Sequence, residues 1–127
     1  MIGTGSGPPT FAHPCRLTIY VCDSAMHHHK PLCDVIVRRA HEAGLSGATV
    51  LRGIEGFGRS GDVHTTRILD ISDHLPVAVM IVDDEARLRD FVHLNDDCIH
   101  GRLVTLEPLE IYDSSTAGES EPPTAGR

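Results

Sequence analysis

The chain has 127 residues and a formal net charge of −7 with its histidines neutral. That length fits one domain with its own core and is too short for two, and an acidic balance without a stripe of Lys or Arg excludes DNA and RNA as main partners, because counterion release has little to act on. The longest apolar runs, such as Pro76 to Val82, fall far short of the roughly 20 residues of a membrane-spanning helix, and no basic region leads into an apolar one at the start; a soluble, cytoplasmic protein that is not itself membrane-embedded is expected.

Residues 1–14 and 113–127 are rich in Gly, Pro, Ser and Thr. Segments of that composition bury too little apolar surface to offset the entropy of ordering, so both are expected to be disordered tails around a folded unit at residues 15–112. "RLTIYVC", Arg16 to Cys22, alternates Leu17, Ile19 and Val21 with Thr18 and Tyr20, the period of two that marks a strand. "PLCDVIVRRAHEAG" then changes period: Leu32, Val35, Ile36 and Arg39 share one helical face, with Cys33, Val37 and Ala40 beside it. Pro31 suits the first turn, Arg38, Arg39 and His41 complement the C-terminal dipole, and Gly44 suits a left-handed cap.

Ala48 to Ile54 reads as the next strand, followed by a long glycine-rich loop and a short extended piece at Thr66 to Ser72. Leu75 to Asp84 is a further strand whose acidic end offers Asp83 or Asp84 as a helix N-cap, with Glu85 in the first turn. "EARLRDFVHL" sets Leu88, Phe91, Val92 and Leu94 on one side of a second helix that Asn95 ends. Arg102 to Tyr112 is the last strand, and Pro108 within it calls for an edge position or a bulge.

The order β-α-β, long loop, β-α-β folds by the crossover rules into an α+β, ferredoxin-like βαββαβ domain: a four-stranded antiparallel sheet with both helices on one face. Val77, Val79 and Ile81 nevertheless alternate with equally apolar Ala78, Met80 and Val82, and Val104 and Leu106 stand against Leu103 and Leu109. A sheet apolar on the face its helices do not cover predicts a homo-oligomer packed through that face.

The loop "RGIEGFGRSGDVH", Arg52 to His64, carries the densest chemistry. Gly53, Gly56, Gly58 and Gly61 permit close backbone approach to a ligand, Arg52 and Arg59 can neutralise a phosphate or carboxylate, and Phe57 can stack on a base or pack inward. On residue types alone, the favoured reading is a plain surface loop that the glycines bend, with Phe57 covering the sheet edge. No Walker or dinucleotide-binding glycine pattern is present. His27, His28 and His29 precede the first helix; with His64 or Cys22 they could hold a metal, although three adjacent histidines cannot all face one ion from a regular element. The cysteines Cys15, Cys22, Cys33 and Cys98 form no C-x-x-C pair, and Cys22 and Cys33 read as small apolar residues. No nucleophile elbow and no cysteine with a base partner appears, so no catalytic residue is assigned; His64 as a general base would be the enzyme alternative.

"LTIYV", "HHKPLCDVIVRRAHEAGLSGATVLRGIEGFG", "VHTTRILDIS", "LPVAVMIVD" and "GRLVTLEPLEI" together resemble the PII-like family known as domain of unknown function one-ninety. The resemblance implies a trimer of ferredoxin-like subunits with no enzymatic activity, a ligand cleft between neighbours, and a T-loop-like segment at residues 55–65 that switches to control a partner. It places Gly56 and Gly58 at the cleft with Arg59 beside them, and matches His28, Lys30 and His64 to positions of the same residue type. The phosphate loop of nucleotide-binding PII proteins is represented only by Gly101 and Arg102, next to acidic Asp96 and Asp97. The implied ligand is therefore an adenine nucleotide or another small anion, with a metal site at His28, His29 and His64 as the alternative. The family's gene neighbourhoods imply a membrane transport protein or channel as partner.

Overall fold

The computed structural model describes residues 10–57, 64–65 (backbone only) and 75–115. Its elements are β1 (Pro14–Cys22), β2 (Met26–His27), β3 (Lys30–Pro31), α1 (Leu32–Glu42), β4 (Ala48–Arg52), β5 (Glu55–Gly56), β6 (His64–Thr65), β7 (Pro76–Asp84), α2 (Glu85–Leu94), α3 (Asp96–Ile99) and β8 (Leu103–Pro108). Four strands form one antiparallel sheet in the order β4-β7-β1-β8. This is the ferredoxin-like arrangement the crossover rules lead to, with the first and third main strands in the centre. The extended piece expected at Thr66 to Ser72 lies outside the described residues, as do most residues of both expected tails.

Strand alternation sorts the core. Leu17, Ile19 and Val21 of β1 and Val77, Val79 and Ile81 of β7 are buried beneath Leu32, Ile36 and Ala40 of α1 and Leu88 and Phe91 of α2. Burying each such side chain contributes roughly 1.5–3 kcal/mol. Gly44 has the left-handed φ of 76° expected after α1. Pro31 stands one residue before the helix, at the N-cap, where its missing N–H costs nothing.

Several expectations are corrected. Leu94 does not join the core; it ends α2 and is 77% exposed. The chain turns instead into α3, a short helix missed by periodicity because four residues are too few to show one; its Cys98 and Ile99 are buried. Asp84 holds the N-cap position of α2 but makes no cap bond; its carboxylate accepts from the backbone N–H of His13. Strand β1 spans Pro14–Cys22, two residues longer at its start than the alternation from Arg16 marks. Strand β4 stops at Arg52 and leaves Ile54 69% exposed. Strand β8 is an edge strand, as Pro108 requires, but Leu109 lies beyond it.

The face opposite the helices is half apolar. Tyr20, Leu51 and Leu103 are exposed there, and Ala78, Met80 and Val82 are half-buried. Toward β8 it turns polar, with Thr105 and an Arg16–Glu107 ion pair at 2.8 Å. Phe11 and Ile111 come in from the two chain ends and line a hollow of about 570 Å³ over this face with Leu51 and Met80. Among the described residues, no helix is long and apolar enough to cross a membrane.

Candidate functional site

The residues singled out in the sequence fall into two places. The first is the root of the long loop. Arg52 ends β4 and reaches Asp23, just after β1, with Nη2 3.0 Å from Oδ1. The N–H of Gly53 donates to the carbonyl of Pro76 at 2.7 Å. A Cβ on Gly53 or Gly56 would come within 2.8 or 2.9 Å of Pro76 Cγ, so both positions require glycine for space. Beyond them β5 pairs with β6, Gly56 opposite His64 and Glu55 opposite Thr65. The loop thus leaves the sheet as a two-stranded stem. Phe57 and Ile54 are exposed at its foot; Gly58 and Arg59 lie outside the described residues.

Arg102 sits elsewhere. It is exposed, follows Gly101 with its φ of 81°, and donates its N–H to the carbonyl of Ile99 at 3.0 Å in the turn into β8. Through the registers Arg52–Val77, Val77–Val21 and Tyr20–Leu103, Arg52 and Arg102 share one end of the sheet but stand on its opposite edges. Three strand spacings separate those edges, about 14 Å.

The second place holds His28 and Lys30. Between β1 and α1 the chain makes a miniature hairpin, Met26 opposite Pro31 and His27 opposite Lys30. Its two turn residues, His28 and His29, have φ of 50° and 69°. A two-residue turn with positive φ at both positions is the kind that normally takes Asn-Gly; other side chains held there cost of order 1–3 kcal/mol each. The sequence shows no sign of a hairpin here, because histidine is not among the residues that mark such turns.

Beside the hairpin runs a groove of about 510 Å³, whose walls include His27, His28, Lys30, Arg38, Glu42 and Asp97. Its floor is a charged network. Asp97 of α3 accepts from Arg39 Nη1 at 2.8 Å and lies 3.4 Å from His27 Nε2. Arg39 also donates to the Asn95 side chain at 3.1 Å. The hydrogen bond from Arg39 holds the Asp97 carboxyl below the usual carboxylate range, and the same bond pushes the Arg39 guanidinium up. The rings of His27 and His28 lie 4.2 Å apart at a 36° tilt. Burial raises the Cys33 thiol, with Asp34 adding to it, consistent with Cys33 as a small packing residue. Arg38, Arg39 and Glu42 were visible in the sequence as helix residues, but nothing local showed that a hairpin and α3 would close around them.

Among the described residues no group of three His, Cys, Asp or Glu side chains converges as a metal site requires. His28 and His29 are adjacent turn residues, and the His64 side chain lies outside the described residues.

Residues 15–111 match the profile of DUF190, described as an uncharacterized ACR. The chain belongs to that family. A UPF0166 protein of Aquifex aeolicus (strain VF5) is 33% identical over 95 residues, 75% of this chain and 90% of the relative. Another UPF0166 protein of the same organism is 31% identical over 77 residues, 61% of this chain and 80% of the relative. Among solved structures, the fold is similar to CPII, a nitrogen regulatory PII-like protein from Thiomonas intermedia K12. One structure of it, bound to ADP, AMP and bicarbonate, superposes with a TM-score of 0.56 at 15% identity, covering 78% of this chain and 88% of CPII. Another, bound to ADP and bicarbonate, gives a TM-score of 0.53 at 15% identity, with the same coverage. The DUF190 chain thus has a PII-like, ferredoxin-like fold.

Proposed function

We propose that this protein is a non-enzymatic, PII-like regulator that assembles as a homotrimer, binds a small anionic metabolite or adenine nucleotide between subunits, and transmits occupancy through residues 55–65. The observation that carries the reading is the placement of Arg52 and Arg102 at one end of the sheet on opposite edges. One subunit keeps them apart, whereas neighbours packed edge to edge would bring the Arg52 of one beside the Arg102 of the next. The partly apolar open faces would turn inward toward one another in such a ring, so that the face is buried while the edges of neighbouring sheets meet. ADP, AMP and bicarbonate in CPII are anions of the class two arginines would hold.

The switch acts through Arg52. Its exposed pair with Asp23 is weak, of order 0–1 kcal/mol, so an anion can draw the guanidinium away and alter the strand end from which the stem departs. A ligand shifts the loop only through such differential contacts. Gly56, Phe57, Gly58, Arg59 and His64 belong to the segment assigned this switch, with Ile54 and Phe57 at its foot as apolar contacts for a partner, for which family resemblance offers a membrane transport protein.

Calorimetry with ADP, AMP and bicarbonate, at protein above about 100 μM to reveal weak sites, tests the reading together with sedimentation velocity. Expected are a trimer, measurable heat with at least one anion, and loss of that heat in Arg52→Ala. A monomer at that concentration, or no heat with any of the three, overturns it.

A further inference from the structure

The groove along α1 lies in the helix layer, away from the sheet face and loop root on which the proposed function rests. Its charges divide into two sets. Arg39, Asp97 and His27 satisfy one another in the floor. The side chains of Lys30, Arg38 and Glu42 have no ion pair or hydrogen bond among the described residues, and the Asp34 carboxylate accepts only the Cys33 thiol at 3.7 Å. On a free helix Asp34, Arg38 and Glu42 would pair at their four-residue spacing. Here they line the groove unpaired instead.

The uncommitted groups alternate in sign along the groove wall: Lys30 positive, Asp34 negative, Arg38 positive, Glu42 negative. A multiply charged anion placed there would meet a carboxylate beside each cation, and a polycation the reverse. A molecule carrying both charges meets neither penalty. Apolar surface is also present, in Val35, Pro31 and the ring of His28. The hairpin retains two histidines at positive φ, one of which lines the groove. Strain kept where an unstrained turn sequence exists points to a use for the side chain.

We propose that this groove is a second small-molecule site, separate from the loop root, for a zwitterion of the free α-amino-acid class. Arg38 takes its carboxylate and Glu42, one helical turn on, takes its ammonium group, while its side chain lies back along the groove over Val35, Pro31 and the His28 ring. The groove volume of about 510 Å³ is within the range of small-molecule sites.

The test is a series of ¹H–¹⁵N correlation spectra of the full chain, titrated with free amino acids at about 10 mM, a concentration that reveals millimolar affinities. The same amino acids are added as N-acetyl and as methyl ester derivatives, each of which lacks one charge. Expected are shifts of amides in residues 27–42 with at least one free amino acid, and affinity about 10-fold weaker for both blocked forms and in Arg38→Gln and Glu42→Gln. Both replaced side chains are exposed, and the spectra themselves report whether the variants fold. No shifts with any free amino acid, equal binding of the N-acetyl form, or binding unchanged in both variants overturns the proposal. So does binding lost in Arg52→Ala but kept in Arg38→Gln, which would place the ligand at the loop root. Failure of ADP, AMP and bicarbonate to bind anywhere leaves these outcomes unaffected, so the two readings fail separately.

Discussion

Gly53 lies so close to Pro76 that a Cβ at position 53 would stand 2.8 Å from the proline Cγ and 3.3 Å from its carbonyl oxygen. The contact joins the end of β4 to the start of β7 at the point where the long loop leaves. Gly53→Ala is expected to cost about 1–3 kcal/mol by overpacking. Pro76→Ala removes the Cγ, so the double variant should recover at least about 0.5 kcal/mol relative to the sum of the singles. Urea denaturation of the four proteins measures this; strict additivity would mean that the two residues do not press on each other.

The Arg39–Asp97 bond predicts a pH dependence. Asp97 has a folded pKa below its ordinary 3.8, so its stabilising contribution is complete above that value and is lost as pH falls through the lower folded one. Arg39, pushed up by the same bond, stays charged throughout. Asp97→Asn should therefore lower the thermal midpoint at pH 7, and the gap from wild type should close in acid well below 3.8. Midpoints measured from pH 7 down to about 2 check the sign, and a gap that widens toward acid contradicts it.

Asp83 is fully buried and ties three elements together. Its carboxylate accepts from the N–H of Ser46 at 2.9 Å, the N–H of Asp84 at 2.6 Å and Arg87 Nη1 at 3.2 Å. Arg87 in turn donates to the carbonyl of Gly44 at 2.9 Å, at the end of α1. Asp83→Ala leaves these donors unmatched and is expected to cost about 2 kcal/mol, read as a lower urea midpoint. Arg87→Gln, whose position is half exposed to water, should cost less; the reverse ranking would show that the arginine, not the carboxylate, organises the junction.

The turn at His28 and His29 predicts stabilisation by replacement. His28→Asn with His29→Gly supplies the residues that accept positive φ, and is expected to add about 1 kcal/mol. For a domain of this size that raises the thermal midpoint by about 4–8 °C. An unchanged or lower midpoint would mean that the histidine side chains repay their strain through contacts in the folded chain.

Strand β1, helix α1, strand β7 and helix α2 were readable because each buries one periodic set of side chains, such as Leu17, Ile19 and Val21 or Leu32, Ile36 and Ala40. Periodicity could not reveal α3 or the β2–β3 hairpin, which are shorter than one informative repeat. Glycine content marked Gly53 and Gly56 as special but could not name Pro76 as the cause, since 20 or more positions separate them along the chain. Asp83 looked like a helix cap because its neighbours in sequence allow it; its partners Ser46 and Arg87 converge only in the fold.

The order of the four main strands and two long helices, the two-sided apolar pattern of β7 and the glycine root of the loop were determined by sequence alone, because each is a matter of local period or backbone freedom. Which charged residues meet was decided by tertiary structure. Arg52 and Arg102 were parted to opposite edges, and His27, Arg39 and Asp97 were joined from a hairpin and two helices. Electrostatic pairing depends on distances of a few ångströms between groups far apart in the chain, and only the packed core sets those distances.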